Sequence, residues 1–401
     1  MWLAQFCRIA VSCSATEPLQ RLSTQMSLPR IPSDAQLRGR FHGCLLGGAA
    51  GDALGAPVEF LDLEEIVKAY GEGGIRDFAP AYGKLGSITD DTQMTLFTAE
   101  GMLSAHLASA LRGQEPDFFR AATVSYARWL MTQEISLRAL SATTNSGWLL
   151  QQRKLFSRRA PGTTCLSALH SNRGKVTRAA NDSKGCGGVM RSAPVGMYFA
   201  HALIRERNHD RLIPSIFATG SDLAAITHGH PSGCLSAGVL AVIVGLVLAG
   251  SPLKEALDAA KKELRSHKSH QETLAAIEQA EALAQARPRE RSALRVMGKG
   301  FVAEEALAMG LYCALSARDF EDGIILAVNH SGDSDSTGSI TGNLLGAAGV
   351  GAIPDRWLAN LELRTTIEAL ADDLAAFPEW RFGSESAREE RAFYANRYPL
   401  A

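Results

Sequence analysis

Two short acidic clusters far apart in the chain could do chemistry: Thr89-Asp90-Asp91-Thr92 and Ser331-Gly332-Asp333-Ser334-Asp335-Ser336-Thr337. Each couples two carboxylates to hydroxyl side chains, and each stands directly before an apolar run that reads as a helix. Hard divalent cations such as Mg²⁺ take that ligand set: carboxylate oxygens, a hydroxyl or two, and waters to complete the shell. Brought together in space, the two clusters could hold two cations side by side and orient an oxygen-rich substrate. Asp, Ser and Thr are also the preferred helix N-caps, and Asp90 with Gln93 resembles a capping box. Redundancy weighs against caps alone. One residue suffices to cap a helix, whereas paired carboxylates repel unless a cation or proton relieves them. The pattern implies an enzyme.

A glycine-rich stretch, Gly185-Cys186-Gly187-Gly188, precedes Val189-Met190-Arg191, where a helix is expected to begin. Glycines let backbone N–H groups approach an anion, and a helix N-terminus favours negative charge, which suits a pyrophosphate. The competing reading is an ordinary turn, with Arg191 in a buried ion pair.

The elements that must position these groups read as helices almost throughout. Residues 41–54 are rich in Gly and Ala, as suits a buried helix packed closely by its neighbours. Apolar residues recur at helical spacing over 92–111, 118–131, 222–248, 252–264, 271–284, 302–315, 336–348 and 364–374. Nothing alternates with period two for long enough to argue a sheet. The expected fold is all-α, with residues 1–36 a flexible N-terminal extension and 37–395 a single compact multi-helix domain. A formal net charge of −1 leaves no basic footprint for nucleic acid. The longest apolar run, 239–249, is too short for a membrane span and reads as a buried helix, so no membrane partner is expected. Seven scattered cysteines without a C-x-x-C pair fit reduced thiols in a cytoplasmic protein.

Five motifs together resemble the ADP-ribosylglycohydrolase family, which includes ADP-ribosylarginine hydrolases and the bacterial enzyme that reactivates dinitrogenase reductase. They are GCLLGGAAGDALGAPVE at 43–59, TDDT at 89–92, NDSKGCGGVMR at 181–191, THGHP at 227–231 and HSGDSDST at 330–337. They occur in the family's order between about residues 37 and 374.

The resemblance implies a binuclear Mg²⁺ site, with Mn²⁺ as an alternative. Thr89, Asp90 and Asp91 would supply one set of ligands, and Asp333, Asp335 and Ser336 the other. The substrate would be ADP-ribose attached to a protein side chain, and ADP-ribose the product. A ring of carboxylates would stabilise oxocarbenium character while Asp91 or Asp333 deprotonates a water. Glu59 matches a glutamate that reaches the metals in some members; a surface carboxylate after Pro57 is the competing reading. Gly185, Gly187, Gly188, Arg191 and His228 match positions near the ADP-ribose, and His230 reads as a local cap. Gly233-Cys234 stands where the family often has an aromatic residue. The Ser336 hydroxyl resembles the arginine-specific branch more than the serine-specific one, with Glu59 and Asp62 expected at the mouth. A different reading makes the chain an immunity protein that occludes an ADP-ribosylating toxin with its N-terminal arm. A catalytically dead structural relative is a third, opposed by the intact clusters.

Overall fold

The computed structural model describes residues 32–133, 146–206, 209–382 and 387–400. The expected N-terminal arm lies outside the described residues, apart from its last few positions. Among the described residues the chain forms seventeen α-helices and no β-strand, with four short 3₁₀ turns between them. The first third holds α1 (Asp34–Gly55), α2 (Leu63–Tyr70), α3 (Asp90–Arg112), α4 (Phe118–Thr132) and α5 (Thr163–Asn172). The middle holds α6 (Ala193–Arg205), α7 (Leu212–Ala225), α8 (Pro231–Leu248), α9 (Leu253–Leu264), α10 (Gln271–Ala286) and α11 (Arg291–Met297). The last part holds α12 (Ala303–Ser316), α13 (Phe320–Val328), α14 (Ser334–Ala348), α15 (Asp355–Asn360), α16 (Arg364–Ala376) and α17 (Arg388–Arg397).

Helix α8 is apolar all round and lies in the interior. Its 18 residues have a mean hydropathy of 2.1 and are 89% buried, so it is a core helix of spanning length. Around it, Gly196 of α6 backs onto the Ala241 carbonyl, and Gly238 of α8 backs onto the Phe217 carbonyl of α7.

A second close packing does more for function. On α1, Gly43, Gly47 and Gly51 recur every fourth residue, as do Gly338, Gly342 and Gly346 on α14. Residues four apart share a helix face. The two stripes meet antiparallel: Cβ atoms built on Gly43, Gly47 and Gly51 would lie 2.6, 2.5 and 2.0 Å from the carbonyl oxygens of Gly346, Gly342 and Gly338. Backbones at that separation admit no side chain, and the seam brings the end of α1 against the start of α14.

Several local expectations need correction. The single helix expected over 222–248 is two, because Gly229 and Pro231 interrupt it. A Cβ on Gly229 would lie 1.8 Å from the Asn181 carbonyl, and His230 caps α8 by accepting from the Ser232 N–H at 3.2 Å. No helix starts at Val189: the glycines form a 3₁₀ turn, Cys186–Gly188, and α6 begins at Ala193. The cap of α3 is Thr89, accepting from the Asp91 N–H at 3.3 Å, so Asp90 and Asp91 occupy the first turn. Helix α1 starts at Asp34, inside the segment expected to be an extension, because Ser33 and Gln36 form a capping box. At the other end Tyr398 is fully buried and stacks on Trp380, so ordered packing continues past residue 395.

Candidate active site

Three helix ends and one turn converge on a cavity of about 260 Å³. Asp90 and Asp91 enter from the first turn of α3, and Asp335 and Ser336 from that of α14. Asp333 stands just before α14, and Glu59 just beyond the end of α1. All six line the cavity. Both helices present their N-termini, whose dipoles favour negative charge at this spot.

Asp52 of α1 ties the arrangement together. Its carboxylate accepts from the Thr89 N–H at 3.0 Å, from the Thr92 N–H at 3.1 Å, and from the Thr92 hydroxyl. Sequence reasoning missed it, although a lone acid inside a Gly/Ala helix was a signal. The Asp333 loop is held by its N–H, which donates to the Lys299 carbonyl at 2.8 Å. Gly332, at φ 130°, adopts backbone angles open to glycine, and a Cβ there would lie 2.1 Å from the Lys299 carbonyl oxygen.

The electrostatics are one-sided. Six carboxylates (Asp52, Glu59, Asp90, Asp91, Asp333 and Asp335) gather, and no Lys or Arg is among the residues lining the cavity. Burial, then the Asp335 charge, pushes Asp52 up to about 7. Burial followed by Asp335 and Asp333 pushes Glu59 up to about 11. Burial and neighbouring carboxylates hold Asp90, Asp91 and Asp333 well above the ordinary carboxyl range. Buried oxygens Asp91 Oδ1, Asp335 Oδ1 and Glu59 Oε2 have no hydrogen-bond partner. One oxygen each from Glu59, Asp333 and Asp335 fall within 4.8 Å of one another. Orphaned carboxylate oxygens without a protein cation are the donor set that divalent metal ions fit.

A pH dependence follows. A carboxyl whose folded pKa is raised contributes most to stability below its unfolded value and loses that contribution as pH rises through the folded value. For Asp52 the window runs from its ordinary 3.8 to about 7. The metal-free protein should therefore melt several degrees lower at pH 8 than at pH 5, and Mg²⁺ should add more stability at pH 8, where protons no longer compete. Thermal scans with and without chelator check this. A flat metal-free profile would contradict the repulsive cluster.

Adjoining the carboxylates, the turn at Cys186 is fixed by its N–H, which donates to the Phe301 carbonyl at 3.1 Å. Gly185, Gly187 and His228 line the cavity there. A Cβ on Gly187 would lie 2.7 Å from Cys165 Sγ and 3.0 Å from His228 Cε1. Burial, then Arg191, depresses His228 to about 3, so the ring is neutral. Its Nδ1 meets the Thr227 hydroxyl at 2.8 Å, and that hydroxyl accepts from Arg191 at 2.7 Å.

Arg191 itself is not at the cavity surface. It is buried behind the wall, over the Tyr126 ring and against the Leu223 carbonyl, and meets the cavity lining through Cys165 and through Thr227 and His228. Gly188 likewise serves packing, because a Cβ there would meet Ala224 Cβ and the Gly233 carbonyl at 2.8 Å. Thr89 caps α3 without lining the cavity. Glu59 sits in the cluster, whereas Asp62 lines a different hollow and faces Lys299 at 3.9 Å. Phe60 and Phe301, stacked 5.9 Å apart at the rim, carried no sequence signal.

A sequence model of the ADP-ribosylglycohydrolase family matches residues 33–382. The chain belongs to the ADP-ribosylglycohydrolase family. Among curated proteins, an uncharacterised protein of Archaeoglobus fulgidus is 30% identical, over 84% of this chain and 95% of its own length. The ADP-ribosylarginine hydrolase Tri1 of Pseudomonas putida is 27% identical, over 84% and 78%. The ADP-ribosyl-[dinitrogen reductase] glycohydrolase of Rhodospirillum rubrum is 26% identical, over 82% and 92%. A solved structure of an ADP-ribosylglycohydrolase-related protein complex shares 28% identity at a TM-score of 0.59, covering 86% of this chain and 99% of its own. The all-helical fold and the hydrolase class of this ADP-ribosylglycohydrolase rest on these matches together.

Proposed function

We propose that this ADP-ribosylglycohydrolase removes ADP-ribose from modified proteins in a Mg²⁺-dependent reaction, with arginine-linked ADP-ribose as the preferred substrate. The observation that carries the metal dependence is the six-carboxylate cluster with its orphaned oxygens and no lining cation. Asp90, Asp91, Asp333, Asp335 and Ser336 would hold the ions, with Thr89 behind them and Mn²⁺ as an alternative occupant. Bound ions would take up the cluster's charge and polarise ribose hydroxyls.

The residues supply the rest. Glycosidic cleavage builds positive charge at the anomeric carbon, which the cluster stabilises. Asp91 or Asp333 takes the proton of the attacking water, and Glu59 closes the metal side of the cavity. The turn holding Gly185 and Gly187, which lets a pyrophosphate approach the backbone closely, and the neutral His228 ring would receive the pyrophosphate. Support for arginine comes from the Pseudomonas relative, named as an ADP-ribosylarginine hydrolase, and from Ser336.

The test is a side-by-side release assay on arginine- and serine-ADP-ribosylated proteins, with Mg²⁺ or EDTA. Release should be faster from arginine, by tenfold or more (about 1.4 kcal/mol of differential transition-state stabilisation), and EDTA should abolish it. Equal rates, or a preference for serine, would overturn the arginine assignment. Full activity in EDTA would overturn the metal dependence.

A further inference from the structure

We infer that Cys186 makes the acidic centre a capture site for thiophilic divalent cations, zinc and cadmium among them, with Asp333 and Asp335 completing the donor set. The inference goes beyond the hydrolase reading and does not require it. Cys186 Sγ lies 2.9 Å from Asp333 Oδ2 and 3.6 Å from Ser336 Oγ, on the wall of the same cavity. A second observation points to a cation at this place: Asp91 Oδ1 and Asp335 Oδ1 are buried and unpartnered on the same cavity.

Magnesium takes oxygen donors and gains little from sulfur, whereas zinc binds thiolate and carboxylate together. A centre of carboxylates and a hydroxyl alone would separate the two ions only by the general affinity order of divalent metals. Adding one thiolate tilts it towards the softer ion. The fit needs little movement. Tetrahedral zinc with Zn–S of about 2.3 Å and Zn–O of about 2.0 Å holds the two donor atoms roughly 3.5 Å apart. Sγ and Oδ2 therefore part by about half an ångström. The step is a ligand exchange without redox change: the S–H proton leaves to buffer as the S–Zn bond forms.

The other described cysteines are poorly placed. Cys44 and Cys313 are buried in the core, Cys165 receives a hydrogen bond from Arg191, and Cys234 faces the His228 carbonyl. Among the described cysteines, only Cys186 contacts a carboxylate. Occupied by zinc through this thiolate, the centre would be locked in a form that competes with magnesium.

The experiment uses the metal-stripped full-length protein titrated with Cd²⁺ and followed by the ultraviolet charge-transfer band of a cadmium–thiolate bond. One equivalent should develop the band, and excess Zn²⁺ should remove it, whereas the same concentration of Mg²⁺ should not. In Cys186→Ser the band should vanish. The Zn²⁺ affinity, read by competition with a chromophoric chelator, should fall at least about tenfold. Asp335→Asn, which keeps the thiol, should also weaken Cd²⁺ binding by about tenfold and gives a second reading if the serine variant folds poorly. A band that persists in Cys186→Ser, a Cd²⁺ affinity unchanged in Asp335→Asn, or a band that Mg²⁺ removes as readily as Zn²⁺ does would each overturn the inference.

Discussion

Asp91→Asn and Asp333→Asn should each lower kcat by about three orders of magnitude, roughly 4 kcal/mol of transition-state stabilisation. The same changes should raise the melting temperature of the metal-free protein at pH 8. The two effects share one cause. Each carboxylate sits among like charges that it cannot escape, so a carboxamide of the same shape removes repulsion from the empty centre. It also removes a ligand and a base from the working one. The gain is expected to be about 2 °C, with a smaller stabilisation by Mg²⁺ than in the wild type. Steady-state kinetics paired with thermal scans separates this from damage. Wild-type rates in either variant would show that the clusters are only helix starts, and a lower metal-free melting temperature would show that the residues serve packing.

The second large effect is expected at the α1–α14 seam, and α1 contains its own control. Gly51→Ala should destabilise the protein by about 3 kcal/mol, the upper part of the range for overpacked interiors. Its Cβ would sit 2.0 Å from the Gly338 carbonyl oxygen, and backbone cannot rotate away as a side chain would. Gly39→Ala, on the exposed face with nothing within 4 Å, should instead stabilise by up to about 1 kcal/mol through helix propensity. Denaturant melts of the two variants check the contrast. Similar midpoints would mean that the seam is looser than its geometry. Gly51→Ala should also weaken metal-dependent stabilisation, because the seam sets where Asp335 stands relative to Asp52 and Glu59.

Much of this was legible in the chain. The acidic clusters announced themselves because chemistry needs particular side chains in short runs, and long helices such as α3, α4 and α12 carry enough apolar repeats to be seen. Helix α13, which escaped notice, has nine residues and is buried on several faces, so no polar side marks its period, and α6 carries Tyr198, Phe199 and Ile204 beside its buried face, which blurs its apolar stripe. The break between α7 and α8 was written in Gly229 and Pro231 but overridden by the apolar run on either side. The role of Asp52 and the place of the rim aromatics have another origin: their partners lie far away in sequence, and only the folded chain sets them beside the clusters. Arg191 shows the converse error. A motif residue near a site need not touch the ligand, and this one holds the Thr227 hydroxyl that meets His228.

The seam between α1 and α14 also sets a schedule for the nascent chain. Its first strip of glycines leaves the ribosome early and its second near the end, as do Asp90–Asp91 and Asp333–Asp335. At about 5–20 residues per second the interval is on the order of ten to fifty seconds. Throughout it the glycine face of α1 lacks α14, and the first pair of acids lacks its counterpart. On the proposed metal-dependent reading, loading belongs to the last stage of synthesis, and termination between α3 and α14 yields a product with half of the acidic cluster and an uncovered glycine face, a form suited to chaperone capture and disposal.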